Sequence, residues 1–145
     1  MFEENRSFIA PGTVEAYALL IARILFAPLF FYSGIGKVFA FGLTASRLPG
    51  GESGFGMVLA AGAVAVELGC ALAVLLGLYV RPLALVFILY IIAATLMFHQ
   101  FWASPAAQVV PQTLNFLKNL GLIGGFGLLA AFGAGPYSIR KFAAR

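Results

Sequence analysis

Residues 17–41 read YALLIARILFAPLFFYSGIGKVFAF, an apolar run interrupted by two basic side chains, Arg23 and Lys37. A membrane helix takes about 20 mostly apolar residues, and this run of about 25 meets that length. It is too long for the roughly 7–15-residue core of a secretory signal and reads as a retained first span. On a helix Arg23, Ala27, Phe30, Gly34 and Lys37 fall on one face. At 1.5 Å per residue the two cations are about 21 Å apart along the axis. A charge at bilayer depth costs roughly 2.5–3.5 kcal/mol even on the lenient insertion scale. That face therefore points into protein or a wet cavity.

Three further segments qualify as spans: Phe55–Tyr79, Pro82–Phe98 and Leu114–Phe132. Two of them also carry charge, with Glu67 in the middle of the second and Lys118 near the start of the fourth. The whole chain of 145 residues is 62% hydrophobic and only 10% charged, with mean hydropathy +1.01. Soluble domains average about 25% charged residues, so this composition excludes one and specifies a single integral membrane domain, 1–145. The fold class is all-α, a four-helix transmembrane bundle. Gly42–Gly54 reads as a mobile, glycine-rich loop, Leu78–Pro82 as a tight turn, and His99–Pro111 as a connection lying in the interface.

Four spans put both termini on one side, with the Arg81 turn. That side holds Arg6, Arg81, Arg140, Lys141 and Arg145, whereas the opposite loops hold only Arg47. The positive-inside rule then makes the termini cytoplasmic. The basic tail suits an anionic lipid surface, and the scattered charge gives no nucleic-acid signature.

In the second span Glu67 shares a face with Gly56, Ala60, Ala63, Ala71 and Val74. Small residues let helices approach in lipid, so the carboxylate is expected against protein. Arg23 and Lys37 are its candidate partners, and Arg23–Glu67 is the expected structural ion pair. In the third span Ile88, Ile92, Thr95 and His99 align; in the fourth, Gln112, Asn115, Lys118 and Leu122 do, with Gly121 and Gly125 as a small-xxx-small pair. Lys37, Glu67, His99, Asn115 and Lys118 then surround a candidate ligand pocket at the end away from the termini. Hydrogen-bond donors above an apolar slot suit a quinone, a phospholipid or a small acid. Lys37 and Lys118 also read as side chains that snorkel to head groups.

Self-contained catalytic motifs are missing. The single histidine lacks Cys or Asp partners for a metal site. The lone Cys70 forms no internal disulfide or redox pair. No Ser–His–Asp arrangement is possible without Asp, and the residues Ser33–Lys37 lie in an apolar helix with no strand before them.

Several stretches resemble the DoxX family. Arg23-Ile24-Leu25 through Ser33-Gly34-Ile35-Gly36-Lys37 resembles its first helix. Glu67-Leu68-Gly69, followed by Gly77-Leu78-Tyr79-Val80-Arg81-Pro82, resembles its second helix and turn. Thr95 to Trp102 resembles the H-x-F-W end of helix three, and Asn115 to Leu120 the opening of helix four. Gln100 departs from the Asp of many members. The resemblance implies a multi-pass protein of the bacterial inner membrane. Since the family is named for a subunit linked to quinone-reducing sulfur oxidation, it also implies a quinone or lipid ligand and redox subunits as partners. The leading expectation is a quinone- or lipid-interacting accessory subunit. Its rivals are a scaffold that oligomerises and a small-solute or lipid transporter.

Overall fold

The computed structural model describes residues 11–139. Arg6, Arg140, Lys141 and Arg145, which carry most of the orientation argument, lie outside the described residues. Among the described residues four helices are long and apolar enough to cross a membrane: Gly12–Phe39, Gly54–Leu75, Val80–Ala103 and Ala106–Phe132. They are called the first to fourth helices below. Among the described residues there is no strand.

The first helix starts at Pro11, earlier than the apolar run alone indicates, and Pro28 lies within it. A short helix, Phe41–Ser46, occupies part of the stretch expected to be a mobile loop. The fourth helix begins at Ala106, not Leu114, and runs through Pro111. The connection expected over His99–Pro111 therefore shrinks to its first half, where Phe101–Ala103 forms one 3-10 turn. Ala, Gln and Val favour or tolerate helix, and Pro111, past the first turn, removes one backbone hydrogen bond without ending the helix.

The core lies between the helices and is largely aromatic. Phe87 stacks on Phe126 with centroids 4.6 Å apart, and Phe126 stacks on Phe26 at 4.5 Å. Phe30 closes the group against Phe87 at 4.5 Å. Gly125 makes this possible, because a Cβ there would stand 2.5 Å from Phe26 Cζ. Gly121, its expected companion, meets nothing within 4 Å and takes no part. Outside the core the surface stays apolar. Leu25, Tyr32 and Phe39 are 70%, 85% and 88% exposed. This is the surface of a protein whose solvent is lipid, where every backbone polar group must be satisfied within the chain.

Burial follows the expected faces in the first two helices. Arg23, Ala27, Phe30 and Gly34 are buried, as are Gly56, Ala60, Glu67, Ala71 and Val74. The third helix is rotated by about one residue: Ala84, Phe87, Ile91 and Thr95 are buried, while Ile92 is exposed. Almost every residue there is apolar, so polarity provides no contrast to fix the phase of the stripe.

Candidate functional site

The four charges sort into two unlike settings. At the end of the bundle where the chain turns between the second and third helices, Arg23 is 1% exposed. Among the described residues its guanidinium donates to carbonyl oxygens only: Leu19 at 3.4 Å, Leu75 at 3.1 Å, and Tyr137. Leu75 ends the second helix, where the last carbonyls have no partner along the helix and carry its negative dipole end. The planar fork of arginine spans such divergent acceptors where an ammonium could not. Gly77 seals the knot. Its φ of +79° is left-handed, and a Cβ there would stand 2.4 Å from Ser138 Cβ and 2.6 Å from Arg23 Nη1. The amide of Ile139 then donates to Leu76 at 3.1 Å, docking the segment after the fourth helix onto this turn.

Arg23 is thus not the partner of Glu67, and the expected Arg23–Glu67 ion pair is replaced. Glu67 pairs with Lys37, at 2.8 Å from Nζ to Oε2 and 3.0 Å to Oε1. The reason lies in helix register. Arg23 is level with the end of the second helix, where open carbonyls lie within reach, while Lys37 meets the carboxylate directly. Gly34, one turn before Lys37, lets the two helices close: a Cβ there would lie 2.7 Å from Leu68 Cδ2 and 3.0 Å from Glu67 Cβ.

The carboxylate collects two further donors. Ser33 Oγ donates to Oε1 at 3.1 Å and Tyr90 Oη donates to it at 2.6 Å. Lys37 also donates to Ser33 Oγ at 2.6 Å. Glu67 itself sits in a π-helical turn, Ala65–Cys70, set inside the second helix. Such turns insert one residue into the α-helical ladder, re-aim side chains and recur at functional sites.

Two cavities flank the cluster. The larger, about 830 Å³, lies between the second and third helices beside the short helix; Leu43, Val58, Leu59, Val66, Met97 and Phe98 are among its walls. The smaller, about 300 Å³, is lined from the first, third and fourth helices, with Glu67 from the second, and reaches His99, Lys118 and Asn119. Both are lined by Ser33, Lys37, Tyr90, Ala94 and Phe98.

A family model described as DoxX matches residues 18–100. The chain is 34% identical to inner membrane protein YphA of Escherichia coli K12 over 90% of its own length and 93% of that protein. It is 35% identical to inner membrane protein YqjF of the same organism, over 88% and 93% respectively. The chain belongs to the DoxX family. With four spans and inner-membrane relatives, it is a multi-pass protein of the inner membrane. No solved structure matches it.

Of the five pocket residues expected for this DoxX chain, Lys37, Glu67, His99 and Lys118 line the smaller cavity. Asn115 does not; its Oδ1 accepts from Lys118 Nζ at 3.1 Å. His99 Nδ1 lies 2.8 Å from Gln112 Oε1. Lys118 is on the exposed side of its helix, and the residue that turns inward is its neighbour Asn119, which donates to Thr95 Oγ1 at 2.8 Å. Ser33, Tyr90 and Asn119 were missed by sequence reasoning. Tyr90 carried a usable signal: a phenol deep in the apolar run LVFILYII requires a buried hydrogen-bond partner, and Glu67 was available.

Proposed function

We propose that this DoxX-family chain is a quinone- or lipid-binding accessory subunit of a membrane redox system. It binds an amphiphile with the polar head at the Lys37–Glu67–Tyr90 cluster and the tail along the larger cavity. The observation that carries the reading is the pairing of an apolar-walled space of about 830 Å³ with a cationic, hydrogen-bonding corner formed by Ser33, Lys37 and Tyr90. Small-molecule sites commonly span about 300–1,000 Å³ and combine apolar walls with a few convergent polar groups. An intramembrane ionisable cluster is also where function is expected first.

His99 and Lys118 are the proposed direct head-group contacts, while Lys37 lines the head-group end with its donors held by Ser33 and Glu67. The chain contributes binding and orientation. Electrons reach the ligand from a partner redox subunit, since a single cysteine supplies no dithiol couple. The excess of Arg and Lys on the side of the termini supports a cytoplasmic N and C terminus, which turns the His99 end outward.

Native mass spectrometry of protein purified in mild detergent, with extraction of small molecules, tests the reading. The expected result is a stoichiometric quinone or lipid, depleted in Tyr90→Phe by far more than its loss of about 1 kcal/mol in stability explains. Protein free of any amphiphile across several mild detergents would overturn it and leave a scaffolding or oligomerising role. Solute flux through reconstituted vesicles would instead support transport.

A further inference from the structure

The hydrogen-bond inventory of the smaller cavity specifies more than an amphiphile. At its inner pole every donor already has an acceptor. Lysine has three N–H groups, and those of Lys37 face Ser33 Oγ, Glu67 Oε1 and Glu67 Oε2. The Ser33 and Tyr90 hydroxyl hydrogens both go to Glu67 Oε1. What remains is acceptor capacity: Glu67 Oε2, reached by Lys37 alone, and the lone pairs of Tyr90 Oη.

The opposite pole has the reverse character. Lys118 uses one donor on Asn115 Oδ1 and has two more. Asn119 uses one amide hydrogen on Thr95 Oγ1 and has a second. His99, engaged with Gln112 through Nδ1, lines the same pole. The cavity is therefore polarised: the Glu67 end only accepts, whereas the Lys118–Asn119 end adds free donors beside the Asn119 Oδ1 acceptor.

We infer that the smaller cavity selects an uncharged ring head group that presents a hydroxyl hydrogen to Glu67 and an oxygen to Lys118 and Asn119. A hydroquinone fits both poles. The corresponding quinone carries acceptors only and would set a carbonyl oxygen against Glu67. A fatty-acid carboxylate would set a second negative charge beside it. This inference rests on the amphiphile-binding reading and adds the hydrogen-bonding class of the head group. At about 300 Å³ the cavity has room for a single ring, and Ala94 and Phe98 line both it and the larger space proposed for the alkyl tail.

The discrimination follows from the cost of leaving a buried acceptor facing another acceptor. One such mismatch corresponds to about a tenfold difference in affinity or more. Calorimetric titration of the purified protein in detergent with decylhydroquinone, kept reduced under anaerobic conditions, decylquinone and decanoate decides the matter. The expected order is hydroquinone about tenfold tighter than quinone, with decanoate weakest. In Glu67→Gln, whose amide supplies a donor, the preference for hydroquinone should shrink or reverse. Should that variant fail to fold, the wild-type order is sufficient. Equal binding of hydroquinone and quinone, or tighter quinone, overturns the inference while leaving the amphiphile reading intact. Binding of none of the three overturns both.

Discussion

Arg23 and Lys37 share one face of one helix, yet the bundle treats them in opposite ways. Arg23 is sealed at the turn end, 1% exposed, and among the described residues bonded only to backbone carbonyls. Lys37 is 26% exposed at its side chain, bonded only to side chains, and lines both cavities. Backbone carbonyls cannot titrate or be moved without unfolding a helix end, so the arginine acts as a fixed rivet. Side-chain partners leave acceptor capacity open to a ligand at Glu67 and Tyr90, so the lysine cluster is adaptable. The lesson is that a buried charge becomes a candidate site through its partners and adjoining space, not through its charge.

The largest effect should come from breaking the adaptable pair on one side. Lys37→Met leaves Glu67 buried without its cation, a change that typically costs about 3–5 kcal/mol. The double variant Lys37→Met/Glu67→Leu should recover most of that stability, because well-packed apolar residues replace buried ion pairs at little cost. It should nevertheless abolish amphiphile binding. Thermal unfolding in detergent, read beside ligand content, separates the two effects. A double variant as unstable as the single one would mean that the pair holds the bundle together in the way Arg23 does.

Next comes the rivet itself. Arg23→Leu bares the carbonyls of Leu75 and Tyr137, at about 1–3 kcal/mol for each acceptor left unsatisfied. Arg23→Lys should rescue little, since one ammonium does not span both. No substitution of a nearby acidic residue should suppress either variant, because the partners are backbone. Suppression by a change at Glu67 would break the distinction between the two ends.

Gly77→Ala should cost about 1–2 kcal/mol from the left-handed backbone alone, before any cost of displacing Ser138. Limited proteolysis should show the segment 134–139 released, with ligand content unchanged at the far end. The smallest effect on stability belongs to Tyr90→Phe, about 1 kcal/mol for one hydrogen bond within a membrane bundle. Its effect on ligand content should be the clearer one. A Tyr90→Phe protein that retains its full ligand content would move the head group away from the cluster.

Much of this was readable beforehand. The four spans, the inward face of the first helix and the buried position of Glu67 follow from hydropathy and from the cost of charge in lipid. Those are local properties that each residue carries regardless of its neighbours. The phase of the third helix was not readable, since LALVFILYIIAA has apolar residues on every side. The fourth helix was off by one residue at its polar stripe, with Asn119 buried where Lys118 was expected, because an exposed lysine snorkels as readily as a buried one pairs.

The sequence alone determined that this chain crosses the membrane four times and that Arg23, Lys37 and Glu67 must find partners inside it. Only the tertiary structure decided who pairs with whom. Partner choice depends on the relative height and rotation of helices, set by the close approach at Gly34, the π-turn at Glu67 and the aromatic stack around Phe126. These are long-range packing terms of a few tenths of an ångström to a few ångströms, and no periodicity within a single helix encodes them.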